Sequence, residues 1–177
     1  MKDYIYLSII KKDDIQISNI NFPKNIKRDE SKKAYSLLFK MLNYLKQSVD
    51  INDLCYTENG KPYIKNSNIK FNYSHCKNYI ACCVALVNVG VDIQDNFKMS
   101  DDAINLYLKG IKNNLRKSFV TKEAYCKLIG NFDDEYFKNL NIDSISKSKY
   151  EINKLEYDLV LFYEGSKKKI ELFYNVI

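Results

Sequence analysis

The stretch FNYSHCKNYIACCVALVNVGVDIQ, residues 71–94, decides the fold. IKFNYS and NYIACCVALV lie on either side of His75 and Cys76 and read as two strands joined tightly, and NVGVDI then opens a third strand. Working outward, MKDYIYLSII has the alternation of a strand, and Asn59-Gly60 is a turn signal. Between them Ala34, Leu37, Leu38, Met41, Leu42 and Leu45 recur at steps of three and four behind Asp29, read as an N-cap, so this segment is a helix that buries one face. Downstream, residues 101–109 and 115–129 have helical character, the second ending at Gly130, a good C-cap. A polar stretch, 131–153, precedes two last strands, KLEYDLVLFYEG and KKIELFYNVI, joined through Gly165-Ser166. Residues 1–87 thus give strand, helix, strand, strand, and residues 88–177 give strand, helices, strand, strand. An α+β fold is expected, and the order hints at two similar lobes, although no residue-level repeat accompanies it.

With 177 residues, 46% of them hydrophobic, the chain can form a core for one domain or for two small lobes sharing it. The longest apolar stretch, 79–91, is interrupted by Asn88 and Gly90 and is too short to cross a bilayer, and the N-terminus carries an acid before any usable signal-peptide core. A cytoplasmic location is expected. Five cysteines show no CxxC pair and no histidine at zinc-finger spacing, so neither a disulfide framework nor a zinc site is suggested. The net charge of +6 favours an anionic partner, but a composition rich in Lys, Asn, Ile and Tyr also arises from coding bias. A basic nucleic-acid-binding module is the remote reading of that charge; no RNA-binding motif appears, and the 15 tyrosines are spread through strand and helix patterns that suggest core.

His75 is the one histidine, directly after Ser74. Neighbours on an extended strand point to opposite faces, so the pair is not a hydrolase dyad, and a single imidazole excludes a multi-histidine metal centre. Asp92 and Gln94, two apart in a strand, share a face and can present oxygens to a hard cation. Glu123 and Lys127, four apart on a helix, also share a face; taken alone they are a surface ion pair worth about 0.3–0.5 kcal/mol.

Together, GKP at 60–62, FNYSHC at 71–76, VGVDIQ at 89–94 and FVTKEAYCKLIG at 119–130 resemble the 4'-phosphopantetheinyl transferases, more narrowly the two-lobed type that primes carrier proteins of peptide and polyketide synthases. In that family a GKP turn, a Ser-His-Ser strand end, a Gly-x-Asp-x-Glu strand and a Trp-x-x-Lys-Glu-Ala helix occur in this order. KRDESKKAYSLLFKML is similar to the family's first long helix. The resemblance implies a pseudo-dimer in which each lobe is a small, mainly antiparallel sheet packed on a long helix, with the active site in the cleft between lobes. The lobe 1–87 contributes coenzyme A contacts, and the lobe 88–177 contributes the metal site and catalytic helix. Three departures stand out: Gln94 replaces the second metal-site acid, Phe119 the tryptophan, and Cys76 the serine after histidine.

The resemblance also implies the reaction: phosphopantetheine passes from coenzyme A to a serine of an acidic apo acyl or peptidyl carrier protein, releasing adenosine 3',5'-bisphosphate. Asp92 and Glu123 would hold Mg2+, which Mn2+ can replace, with Gln94 as an amide or water-mediated contact. Lys127 would add positive charge at the pyrophosphate, and Glu123 would accept the serine proton. Ser74, His75 and Lys61 would contact coenzyme A, Lys61 at phosphate, while Lys24, Lys27, Arg28 and Ser36 are candidates for the 3'-phosphate. KGIKNNLRK, residues 109–117, is a candidate docking surface, although a solvated, charged helix end is the preferred reading of it. Two lobes in one chain suggest a monomer. A family member that binds coenzyme A without efficient transfer is the alternative that Gln94 motivates.

Overall fold

In YIYLSIIK the alternation places Tyr6 and Ile10 on one face and Ile5 and Leu7 on the other, and all four are buried. The strand they form is therefore covered on both sides, which sets the layering of the whole molecule. The computed structural model describes residues 1–18, 21–23, 26–111 and 113–173. In chain order its elements are β1 (Tyr4–Lys11), α1 (Asp29–Tyr44), β2 (Leu54–Tyr56), β3 (Pro62–Ile64), β4 (Lys70–His75), β5 (Tyr79–Ala85), β6 (Val89–Gln94), α2 (Asp101–Tyr107), α3 (Leu115–Ile129), α4 (Asp134–Asn139), β7 (Ser148–Asn153), β8 (Asp158–Tyr163) and β9 (Lys169–Phe173), with short 3-10 turns at 12–14, 51–53 and 142–144. The fold is α+β.

Among the described residues one sheet has the order β4-β5-β1-β9, a second has β6-β8-β7, and β2 and β3 form a two-stranded pair. Among the described residues the pairings are antiparallel except β1 with β9, which is parallel with Leu7 opposite Leu172. The larger sheet therefore takes strands from both halves of the chain. Three apolar clusters fix the stacking. Leu37, Leu38, Met41 and Leu42 of α1 pack on Tyr6, Ile80, Cys82 and Val84. Ile5, Leu7, Ala81, Cys83 and Ala85 meet Val89, Val91, Ile93, Leu159 and Leu161 between the two sheets. Val120, Ala124 and Leu128 of α3 close on Val160 and Phe162. The order of layers is thus α1, larger sheet, smaller sheet, α3.

Two glycines matter to this arrangement. Gly60 adopts φ +80° in the β2–β3 turn, a conformation that favours glycine. At Gly90 a Cβ would lie 2.2 Å from the Leu128 backbone nitrogen and 2.4 Å from the Ala124 carbonyl oxygen, so the absent side chain is what lets α3 lie directly on β6.

Some local expectations need correction. Asp29 is the first helical residue rather than the cap; Arg28 caps α1 without a side-chain hydrogen bond, and Asp29 with Glu30 place negative charge in the first turn, where the helix dipole favours it. The polar stretch 131–153 holds α4, capped by Asp133 accepting from the Tyr136 amide, and β7. β7 is an edge strand with no fully buried residue, so its sequence lacks a clear apolar alternation. All five cysteines are free thiols, four of them buried. Among the described residues no helix is long and apolar enough to cross a membrane.

Candidate functional site

Strands β4 and β6 meet where the two sheets adjoin. Asn72 is buried and its side-chain oxygen accepts from the Val91 amide at 2.9 Å, stitching one strand to the other. Two residues further along the same face of β4, the Ser74 hydroxyl donates to Asp92 Oδ1 at 2.6 Å. From α3, Lys127 Nζ donates to the same Asp92 oxygen at 2.7 Å and to Ser74 Oγ at 3.0 Å, and stands 3.8 Å from Glu123 Oε2. Asp92 is only 1% exposed, and its second oxygen, Oδ2, is buried with no hydrogen-bond partner among the described residues. Strand period two puts Asn72 and Ser74 on one face of β4, and helix period four aligns Glu123 with Lys127.

A cavity of about 290 Å³ gathers Ser74, His75, Asp92, Gln94, Glu123 and Lys127. A larger one, about 770 Å³, lies along a different face of α3, lined by Lys117, Lys122 and residues of the α4–β7 segment, and holds none of these groups. The convergence of buried charge, not volume, marks the smaller cavity as the candidate site.

Electrostatics inside it are uneven. Burial opposes the Lys127 charge, yet the Asp92 and Glu123 carboxylates keep its pKa above the ordinary value. Burial pushes the Glu123 carboxyl up, Lys127 pulls against that rise and Asp92 adds to it. His75 projects from the face of β4 opposite Ser74 and much of it is open to solvent; packing around the ring and then the Lys12 charge lower its pKa, with Glu30 opposing. Ser74 and His75 thus point apart, and each lines the cavity from its own side.

The remaining candidates separate. Lys61, expected at phosphate, is engaged elsewhere: its Nζ donates to the Leu128 carbonyl at 2.6 Å and to the Val89 carbonyl at 3.4 Å, and it lines a neighbouring cleft. Ser36, a candidate for the 3'-phosphate, is fully buried and accepts from the Ser18 amide. Lys27 and Arg28 are exposed at the start of α1, and Lys24 lies outside the described residues. In residues 109–117, Arg116 is bound to Asp158 and to the carbonyls of Asp95, Lys154 and Leu155, and Lys117 pairs with Glu151; Lys112 lies outside the described residues. That segment's two described cations on α3 are thus held by the fold. Sequence reasoning missed Asn72, legible two positions before Ser74 on one strand face, and Lys12, whose proximity to His75 no local pattern signals.

Among the described residues no group of three or more His, Cys, Asp and Glu side chains could hold a metal ion by itself. Mg2+ commonly takes only one or two carboxylates and completes its shell with substrate phosphates and water. Asp92, Glu123 and the Gln94 amide suit that sparse donor set, and the unpartnered Asp92 Oδ2 supplies a specific anchor. A buried acceptor left without a partner costs about 1–3 kcal/mol, which a bound cation would recover.

No family model matches the chain, and no curated protein matches it.

Proposed function

We propose that the protein is a 4'-phosphopantetheinyl transferase that moves phosphopantetheine from coenzyme A to a serine of an acidic apo acyl or peptidyl carrier protein. The observation that carries this reading is the buried Asp92, bonded to Ser74 and Lys127 through one oxygen and unpartnered at the other, in a cavity that also holds His75, Gln94 and Glu123. In this reading the chain is two-lobed and works as a cytoplasmic monomer, with α1 on β4-β5-β1-β9, the last strand crossing back from the second half of the chain, and α3 on β6-β8-β7.

Attack by a neutral hydroxyl on a phosphorus ringed by anionic oxygens needs charge neutralisation and removal of a proton. Asp92 and Glu123 would hold Mg2+ or Mn2+, with Gln94 beside them, and the metal when bound polarises the phosphoryl oxygens. Lys127 contributes a fixed positive charge at the pyrophosphate, kept protonated by the carboxylates around it. Glu123, which lines the same cavity, takes the serine proton. The serine oxygen bonds to the phosphorus that bears pantetheine, the pyrophosphate bridge breaks, and adenosine 3',5'-bisphosphate leaves with the bridging oxygen. His75 binds the donor at the end of β4, Ser74 holds Asp92 and Lys127 in place beside it, and Arg28 and Lys27 add charge near the start of α1.

A second reading, a protein that binds coenzyme A without efficient transfer, draws on one observation: Lys127 already occupies Asp92 Oδ1, and Gln94 supplies no charge to offset it. Mass spectrometry of an apo carrier protein incubated with the enzyme, coenzyme A and Mg2+ tests both. Gain of one phosphopantetheine supports transfer. No gain, with coenzyme A binding measured by calorimetry, favours the second reading, and neither gain nor binding refutes both.

A further inference from the structure

We propose that Lys61 is a positioning residue, whose side chain fixes the last turn of α3 against the start of β6 and so sets the register in which Lys127 meets Asp92. Its consequence for catalysis rests on the transferase reading; the clamp itself does not.

The backbone of Lys61 is rooted in the β2–β3 turn. The Thr57 amide donates to its carbonyl at 2.9 Å, and its own amide donates to Thr57 Oγ1 at 3.0 Å. From that anchor the aliphatic stem passes over Gly130, where an added Cβ would lie 3.4 Å from Lys61 Cδ. The ammonium then bridges two carbonyls, Leu128 at 2.6 Å and Val89 at 3.4 Å. Leu128 is in the last turn of α3, where carbonyls lack intrahelical partners and a cation is favoured by the helix dipole. Lys61 therefore closes the end of α3 and ties it to the first residue of β6.

The residues beside these contacts make the register functional. Leu128 follows Lys127 directly, and the Leu128 nitrogen lies 2.2 Å from where a Cβ on Gly90 would be. Gly90 is two residues before Asp92, on the same face of β6. One cation thus fixes helix and strand a single residue from the Lys127 backbone and three residues from that of Asp92. Moving α3 along its axis by one residue, about 1.5 Å, would take Lys127 Nζ out of its 2.7 Å contact. A role at phosphate would require the ammonium to leave both carbonyls, and Lys61 is not among the residues lining the cavity with Asp92.

The test compares the full chain with Lys61→Met and Lys61→Arg by amide hydrogen exchange and by steady-state kinetics with apo carrier protein, coenzyme A and Mg2+. Lys61→Met is expected to speed exchange selectively in residues 126–131 and 88–93. In the same variant kcat should fall roughly tenfold to a hundredfold, as for a misplaced catalytic group, with KM for coenzyme A within about twofold of wild type. Lys61→Arg, which keeps a donor at that reach, should recover most of both. If Lys61→Met does not fold, Lys61→Gln takes its place with the same two readouts. Unchanged local exchange, or a KM for coenzyme A raised about tenfold with kcat preserved, would overturn the clamp and return Lys61 to the ligand. A wild-type enzyme that transfers nothing would sink the transferase reading alone, and the exchange comparison would still decide the clamp.

Discussion

Replacing Lys127 with methionine keeps most of the side-chain volume and removes the charge opposite Asp92. Asp92 is 1% exposed and Lys127 17% exposed, so the pair is nearly dry on the acid's side and partly wet on the lysine's. Deleting one partner of a buried ion pair costs about 3–5 kcal/mol, because the survivor is left charged and desolvated. Two structural facts pull the estimate to the low end, about 3 kcal/mol: water can reach the lysine position, and Ser74 still donates to Asp92 Oδ1. For a chain of this size each kcal/mol moves the melting temperature by about 2–4 °C, giving an expected drop of about 6–12 °C at neutral pH. Asp92→Asn in the same background removes the stranded charge, so the double variant should lose less than the sum of the singles, with a coupling of about 1–3 kcal/mol. Thermal and urea unfolding of the four proteins, read with equal m-values, measure this. A melting temperature for Lys127→Met within 2 °C of wild type (about 1 kcal/mol or less), together with additive singles, would show that Asp92 and Lys127 do not form the buried pair on which the site rests.

Four further outcomes are expected. Gly90→Ala inserts a methyl 2.2 Å from the Leu128 nitrogen and should cost at least about 1–3 kcal/mol in urea unfolding, since backbone rather than a flexible side chain must yield; a neutral effect would mean α3 does not lie directly on β6. Gln94→Glu adds a carboxylate to the cavity and should lower the Mg2+ concentration for half-maximal transfer, whereas an unchanged or raised requirement would place Gln94 away from the metal. His75→Ala should raise KM for coenzyme A more than it lowers kcat; a large kcat loss with unaltered donor affinity would promote His75 to general base. Burial opposes the Asp95 charge, but amide donors from Asn96, Asn78 and Lys77 hold its pKa below the ordinary 3.8, so its stabilisation is present above that value and is lost as pH falls through the lower folded value. Asp95→Asn should therefore flatten the acid limb of the stability profile below about pH 4, and an identical limb would count against those amide bonds.

What the sequence disclosed depended on period. The strands around residues 71–94 and the helix over 115–129 were legible because apolar spacing and the Gly130 cap are local signals, and both are observed. The convergence of Ser74, Asp92 and Lys127 followed only in part. Period two and period four say which side chains share a face, whereas the approach of β4, β6 and α3 depends on Gly90 lacking a side chain and on small residues such as Ala81, Cys83 and Ala85 between the sheets. β7 and the parallel pairing of β9 with β1 escaped notice for a related reason: an edge strand is half-wet, and a partner 165 residues away leaves no local trace. Ser36 shows the limit of such local signals, since a small hydroxyl residue on a helix reads alike whether it faces ligand or core, and here it is buried and accepts from the Ser18 amide.

The opposed directions of Ser74 and His75 acquire a physical sense from this seam. Ser74 faces the smaller sheet and spends its hydroxyl on Asp92 and Lys127, so it orders the charges that meet the donor's pyrophosphate in the proposed reaction. His75 faces the α1 side, where Lys12 and Glu30 set its charge environment and where Arg28 opens the helix. One residue step along β4 therefore carries the wall of the cavity from the layer of α3 to the layer of α1. In the proposed reaction a donor with phosphates on both sides of its ribose would be met from both layers, by His75 on the side of α1 and by the Asp92 and Lys127 that Ser74 orders on the side of α3. The same geometry explains why a substitution at Ser74 should disturb Asp92 and Lys127 together, while one at His75 leaves that pair in place.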